Sequence, residues 1–304
     1  MGRSVLPEFV DLHVHTTASD GTESPTQVVA KANTIGLAAI AITDHDTVQG
    51  VDEGLRAGTN LGIEVVPGVE ISCKWKEYRV HLLGFYLNPL DQGLVSMLEW
   101  MRAGREARLP KMLARLRELG IEVDQEEVEA EAKGESTGRP HLARVMVRNG
   151  IVASFDEAFD KYLAQGRPAY AERPRPTLAE GIQVILNAEG VPVIAHPLTV
   201  EVPPRQLIKT LIPFKLQGIE YYYPYQQMSG QSAEWYATIS SNLALLKELA
   251  REFNLILTGG SDYHGSVPGK AELGSVPVPT TVLDQLRQRY KTLFGVLPSP
   301  LKAA

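Results

Sequence analysis

The sequence predicts a parallel α/β fold closed into a barrel or near-barrel, with a helical segment inserted after its fourth strand. Three observations point there. Short, mainly apolar runs alternate with helical stretches, seven runs in all, as in sheets buried on both faces. Polar residues gather at the C-terminal ends of these runs, the rim where α/β barrels build their sites. Residues 92–163 interrupt the alternation with helical pattern and no strand. An open doubly wound sheet is the alternative, but no Gly-x-Gly-x-x-Gly or Walker-type loop follows the first run.

Taken in order, Val10 to Val14 reads as the first strand, with His13 and His15 on one face because strand side chains alternate. Pro25 to Ile35 is a helix entered through Ser24-Pro25 and stopped at Gly36. Leu37 to Thr43 is a buried strand ending in Asp44-His45-Asp46, and Val48 to Leu61 is a helix despite three glycines. Ile63 to Pro67 is the third strand, leading into Gly68-Val69-Glu70, and Arg79 to Tyr86 is the fourth, carrying His81.

Beyond Asn88-Pro89, helices are expected over Leu94 to Leu119, Gln125 to Lys133, His141 to Arg148 and Phe155 to Leu163. The expected division is residues 1–91 and 171–304 for the barrel and 92–170 for a helical insertion domain covering the site. The barrel then resumes with a helix at Leu178 to Asn187, a strand at Val191 to Ala195 before His196, and a helical stretch at Gln206 to Leu216 broken by Pro213. A strand at Gly218 to Tyr223, a helix at Ser232 to Phe253, a strand at Leu255 to Thr258 before Asp262 and His264, and a closing helix at Thr281 to Leu293 complete it.

Composition excludes some classes. A 44% hydrophobic, 22% charged chain of 304 residues can bury a large core. The net charge of −6 gives no general attraction to nucleic acid, so duplex DNA or RNA is not an expected partner. One cysteine, Cys73, excludes an internal disulfide and reads as a small buried residue. No apolar run approaches membrane-spanning length and Met1 to Glu8 lacks a signal stretch, so a cytoplasmic location is expected.

The histidines carry the chemistry. Of seven, six (His13, His15, His45, His81, His196 and His264) fall at or near strand ends, beside Asp20, Asp44, Asp46, Glu70 and Asp262. A lone His-x-His is more often a core pair. Six imidazoles on one rim are not what random placement produces. Imidazole and carboxylate without thiolate suit zinc, manganese or iron, and a carboxylate can bridge two ions.

These residues resemble the PHP (polymerase and histidinol phosphatase) family, through Asp11-Leu-His-Val-His, Ser19-Asp20-Gly21, Thr43-Asp44-His45-Asp46, Pro67-Gly68-Val69-Glu70, His81, Ala195-His196-Pro197 and Gly260-Ser261-Asp262-Tyr263-His264. The resemblance implies a distorted (β/α)7 barrel and up to three metal ions. It assigns one ion to His13, His15, Glu70 and Asp262, a second to Glu70, His81 and His196, and a third to Asp20, His45 and His264. Asp11 and Asp44 are expected to orient imidazoles from behind. Paired ions lower the pKa of a bridging water, which predicts attack of hydroxide on a phosphate ester.

The subgroup it resembles most acts on nucleoside 3′,5′-bisphosphates and the 5′ ends of short RNA, so a small phosphorylated partner of that kind is implied. Gly138-Arg139-Pro140-His141 resembles that subgroup's substrate-phosphate element; Arg167 and Tyr170 are further candidates. Asp46 is read either as proton donor to the leaving alcohol or as a hydrogen-bonding residue of its own loop. The Arg102 to Arg117 run, interleaved with glutamates, reads as a solvated helix face. Tyr221 to Tyr225 reads as packing or as a base-stacking platform. Three other readings stay open: a phosphatase for histidinol phosphate or another metabolite, a non-catalytic metal-binding module, and an amidohydrolase, although the lysine bridge usual in the last is lacking.

Overall fold

The computed structural model describes residues 8–132, 138–228, 232–267 and 269–298. Lys133, expected to end an acidic helix, lies outside the described residues, as does most of the Met1 to Glu8 segment. The chain divides into two compact units, Met1–Ser96 with Pro176–Ala304, and Met97–Arg175.

The first unit is an eight-stranded, nearly closed barrel-shaped sheet with spatial order β7-β6-β5-β4-β3-β2-β1-β8. Its strands are β1 Phe9–Val14, β2 Ala39–Ile42, β3 Glu64–Trp75, β4 Tyr78–Phe85, β5 Val191–Ile194, β6 Gly218–Tyr222, β7 Ile256–Gly259 and β8 Val278–Pro279. Seven coincide with the expected runs. The eighth is a two-residue strip antiparallel to β1, too short to carry a pattern of its own.

Local chemistry sets the first helices. In α1 (Pro25–Ile35) the Ser24 hydroxyl accepts the Gln27 N–H while the Gln27 side chain returns to the Ser24 N–H, and Gly36 closes the helix at φ 82°. The second helix, α2 (Val51–Leu61), starts three residues later than expected, after a turn through Val48 to Gly50. Ile40, Ile42 and Val65 point outward onto Val28, Val29, Leu55 and Ala57. Ala39, Ala41, Val66, Leu83 and Val193 fill the interior with Leu283 and Leu286 of the closing helix.

The sheet is not uniformly parallel. β3 runs on to Trp75 and turns through Lys76-Glu77 (Lys76 at φ 55°) straight into β4, so β4 is antiparallel to both β3 and β5. Two residues cannot hold the crossover that a parallel neighbour needs. His81 therefore reaches the site from within a reversed strand, paired opposite Ser72, rather than from a strand end.

The second unit has its own core of Leu109, Met112, Leu116, Leu142, Val145, Met146 and neighbours. The single long helix expected from Leu94 is two, α3 (Gln92–Glu106) and α4 (Arg108–Glu118). Pro110 explains the break, since it donates no N–H and its ring crowds the carbonyl four residues back, at Glu106. α5 (Gln125–Ala132), α6 (Arg139–Arg148) and α7 (Phe155–Ala158) follow, the last running on as a π-helical turn, Phe159–Leu163. Four more helices belong to the barrel: α8 (Leu178–Asn187), α9 (Pro204–Leu211, ending before Pro213), α10 (Ala233–Glu252) and α11 (Thr280–Phe294). Among the described residues no helix is long and apolar enough to cross a membrane.

Candidate metal centre

A bulge makes β1 productive. Its pairing with β2 slips between Asp11 and Val14, so Leu12 and His13 both face inward, and His15 follows. The Ser19-Asp20-Gly21 turn then folds back onto this strand, and a Cβ at Gly21 would lie 2.7 Å from the His15 carbonyl oxygen. Past β2, His45 bridges to Glu70, with Glu70 N–H donating to Asp44 O and Asp46 N–H to Glu70 O. Three site residues take left-handed backbone, Asp46 (φ 54°), His196 (φ 24°) and Asp262 (φ 56°). Such angles in non-glycine residues are held only where the surroundings over-determine them.

Glu70 is the hub. Its Oε2 lies 3.3 Å from both His13 Nε2 and His15 Nε2 and 2.8 Å from His45 Nδ1. Its Oε1 lies 2.9 Å from His81 Nδ1 and 3.0 Å from His196 Nε2. Asp262 Oδ1 approaches His13 Nε2 at 3.4 Å and His15 Nε2 at 3.1 Å. Asp20 is more exposed, its oxygens 3.5 Å from His264 Nε2 and 3.8 Å from His15 Nδ1 and His45 Nε2.

Three groups of these side chains can each direct ligand atoms at one ion: His13, His15, Glu70 and Asp262; His45, Glu70 and His81; and His15, Asp20, His45 and His264. His196 joins the second through Glu70. The grouping differs in detail from the implied sets, because His45 and His15 each face two groups.

A cation fits this arrangement on the structure's own terms. His15 Nδ1, His45 Nδ1, His81 Nδ1 and Glu70 Oε2 are buried with no hydrogen-bond partner, although the short distances above show their neighbours to be close. Within each group the ligand atoms lie within 4.8 Å of one another, close enough to share one ion. Left unpartnered, each buried atom costs about 1–3 kcal/mol of uncompensated desolvation.

The electrostatics agree. Burial opposes charge on His13 and His15, but carboxylates outweigh it: Glu220, Glu70 and Asp262 hold His13 well above its ordinary value, and Asp262 and Glu70 bring His15 up to about 10. His196 is also raised, burial being overcome by Glu70, Glu220 and Asp262. Conversely burial would raise Glu70 and Asp262, yet the surrounding imidazoles hold both far below the usual carboxylate range. For His81 burial prevails over Glu70 and lowers it.

The PHP domain pattern matches residues 11–164, half of the chain. The chain belongs to the PHP family. A 5′-3′ exoribonuclease of Haemophilus influenzae is 34% identical to it over 84% of this chain and 89% of that protein. A 3′,5′-nucleoside bisphosphate phosphatase of Chromobacterium violaceum is 32% identical over 87% of this chain and 90% of that protein. A solved structure from Bifidobacterium adolescentis, provisionally described as a metal-dependent phosphoesterase, is 30% identical with TM-score 0.71, covering 92% of this chain and 96% of that one.

Around this PHP centre the supporting carboxylates are not those expected. The β1 bulge sets Asp11 on the face opposite the His13 ring, where it accepts Ser261 N–H (2.9 Å), Ser261 O–H (2.6 Å) and Gly274 N–H (2.8 Å). Asp44 accepts from Thr16 N–H (2.7 Å), Thr16 O–H (2.8 Å) and Ser19 O–H (2.6 Å). Both pin loops; neither touches an imidazole by these bonds. Asp46 accepts Ser72 N–H at 2.7 Å and Ser72 O–H at 3.1 Å.

The residue that sequence reasoning missed is Glu220 on β6. Fully buried, it accepts His13 Nδ1–H at 2.8 Å and the His196 backbone N–H at 2.7 Å. Tyr223 was read only as packing or stacking, yet its hydroxyl donates to Asp262 Oδ2 at 2.9 Å. One signal was present: a carboxylate inside an apolar and aromatic strand needs a partner if it is buried.

In the helical unit, Arg139 donates to Leu163 O (3.1 Å) and its guanidinium lies 5.4 Å from the Phe159 ring centre and 5.6 Å from that of Tyr170. His141 Nδ1 accepts the Gly138 N–H at 3.1 Å, closing the start of α6. Arg167 is exposed, and its carbonyl accepts the Tyr170 N–H at 3.0 Å.

Proposed function

We propose that this chain is a metal-dependent phosphoesterase that hydrolyses a phosphate monoester of a small nucleotide, a nucleoside 3′,5′-bisphosphate or a short RNA 5′ end. The convergence of unpartnered, buried imidazole and carboxylate atoms on Glu70 carries the reading. The relatives' activities on bisphosphate nucleotides and RNA support the substrate class.

His13, His15, Glu70 and Asp262 would hold one divalent ion, and Glu70, His81 and His196, with His45 at their edge, a second. Asp20, His45 and His264, beside His15, would hold a third, with manganese, zinc or iron all suited to such donors. Bound there, such ions lower the pKa of a coordinated water and offset the charge on phosphoryl oxygens. The protein's part is to aim the rings at the ions they would hold. The ion pairs that raise His13, His15 and His196 in the metal-free chain are exchanged for coordination. Arg139 and His141, with Arg167 and Tyr170, are assigned to the substrate phosphate; Arg suits this through its planar fork of donors.

Asp46 is assigned as proton donor to the leaving alcohol, a role that requires it to release Ser72. Asp46→Asn should lower kcat with metal content intact; unchanged kcat would leave Asp46 to its loop alone. The substrate test is turnover of a panel with added Mn2+: a nucleoside 3′,5′-bisphosphate, a short 5′-phosphorylated RNA, histidinol phosphate and an amide ester analogue. The nucleotides should show the highest kcat/KM. A clear preference for histidinol phosphate or the amide, or no turnover of any phosphate ester, overturns the proposal.

A further inference from the structure

Among the seven long strands, β6 differs in one respect. Glu220 belongs to none of the three ion-holding groups, yet the end of β6 touches ligands from three other segments. The two oxygens of Glu220 are divided between β1 and the end of β5, one on the His13 ring and one on the His196 backbone. Tyr223 reaches the segment after β7 through Asp262, and its ring lies 5.1 Å from that of His196.

A register slip makes this reach workable. Glu220 pairs with Thr258 and Tyr222 with Gly259, so β6 carries one extra residue between them. Bulges next to sites re-aim side chains. Gly259 leaves room for the displaced strand, since a Cβ there would lie 2.1 Å from Tyr222 O, while a Cβ on Gly260 would meet β1, 2.3 Å from His13 N.

We propose that the end of β6 is the brace of the centre, with Glu220 and Tyr223 as positioning residues that fix three ligands without binding an ion. Glu220 accepting from Nδ1 leaves the His13 Nε2 lone pair directed at Glu70 and Asp262. Its other oxygen holds the His196 amide in the left-handed turn that aims that ring at Glu70. Tyr223 occupies Asp262 Oδ2 and so presents Oδ1 to His13 and His15. One carboxylate thus sets two ligands belonging to different ions, which couples the ions' sites. Partners of this kind orient rings and raise ligand basicity.

The inference rests on the metal-binding reading above, and its test separates the two. Metal affinity is measured by competition with a coloured chelator for the full chain, Glu220→Gln and Tyr223→Phe, with circular dichroism of each metal-free protein. Gln keeps the volume but offers one acceptor to two N–H donors, so affinity should fall about 10- to 100-fold with the fold retained. Tyr223→Phe removes one hydroxyl and should produce a smaller fall of the same sign. If both folded variants bind within about twofold of the parent, the brace is refuted while metal binding stands. If the parent itself binds no ion, the functional reading falls and takes the brace with it. Should Glu220→Gln not fold, Tyr223→Phe decides alone.

Discussion

In the helical unit the core is Leu, Met, Val and Ala, and charges lie outside in pairs such as Arg148 with Glu131 at 3.0 Å. At the barrel rim the arrangement is inverted. His13, His15, Glu70 and Glu220 are buried almost completely, several polar atoms lack partners, and the backbone is held in left-handed turns. The helical unit is explained by its own contacts. The rim is not, because buried ionic clusters rarely stabilise a fold better than apolar packing. What is inexplicable as stability is explicable as a binding site.

The comparison can be broken most directly at Glu70. Glu70→Gln removes the one anion shared by five imidazoles, and kcat/KM should drop on the order of 10³-fold, about 4 kcal/mol. Steady-state kinetics with elemental analysis checks it; parent-like activity would make the rim merely structural. Leu142→Ala probes the other unit. It should destabilise by about 2–5 kcal/mol in urea unfolding, with metal content per folded chain unchanged.

A third test uses protons. In the metal-free chain His13, His15 and His196 are all raised, and His15, brought up to about 10, carries a proton at pH 7 that a cation must displace. His81 is lowered and has none to give up. Ion binding should therefore release protons, and affinity should rise with pH by about tenfold per unit for each proton displaced. Calorimetry in two buffers of different ionisation enthalpy counts them, and identical heats would contradict the sign. The smallest effect belongs to the helical unit's surface: Arg148→Ala should change stability by no more than about 1 kcal/mol, read from the same urea transitions.

Most of the candidate centre is legible because its imidazoles and carboxylates lie at or near the ends of apolar runs, where alternation and order locate them. Seven strands were visible for the same reason. What stayed hidden depends on pairing. The slip in β1 cancels strict alternation, so Asp11 could not be placed against the His13 ring from spacing. The hairpin at Lys76 reverses β4 without any apolar signature. Glu220 meets His13 across 207 residues of chain, a contact no local pattern encodes. Pro110 is the exception, a helix breaker visible in the sequence that divides the Leu94 to Leu119 run in two.

The barrel's seam has a further consequence. Where β1 meets the segment after β7, His15 N–H donates to Tyr263 O and Tyr263 N–H to His13 O, with Gly260 allowing the close approach. Four candidate ligands, His13, His15, Asp262 and His264, flank that junction. Opening the barrel there and dismantling the centre are thus one motion. A cation gripping both sides acts as a clasp, so the slowest-exchanging amides of the loaded protein belong beside its most charged residues rather than in its oiliest layer.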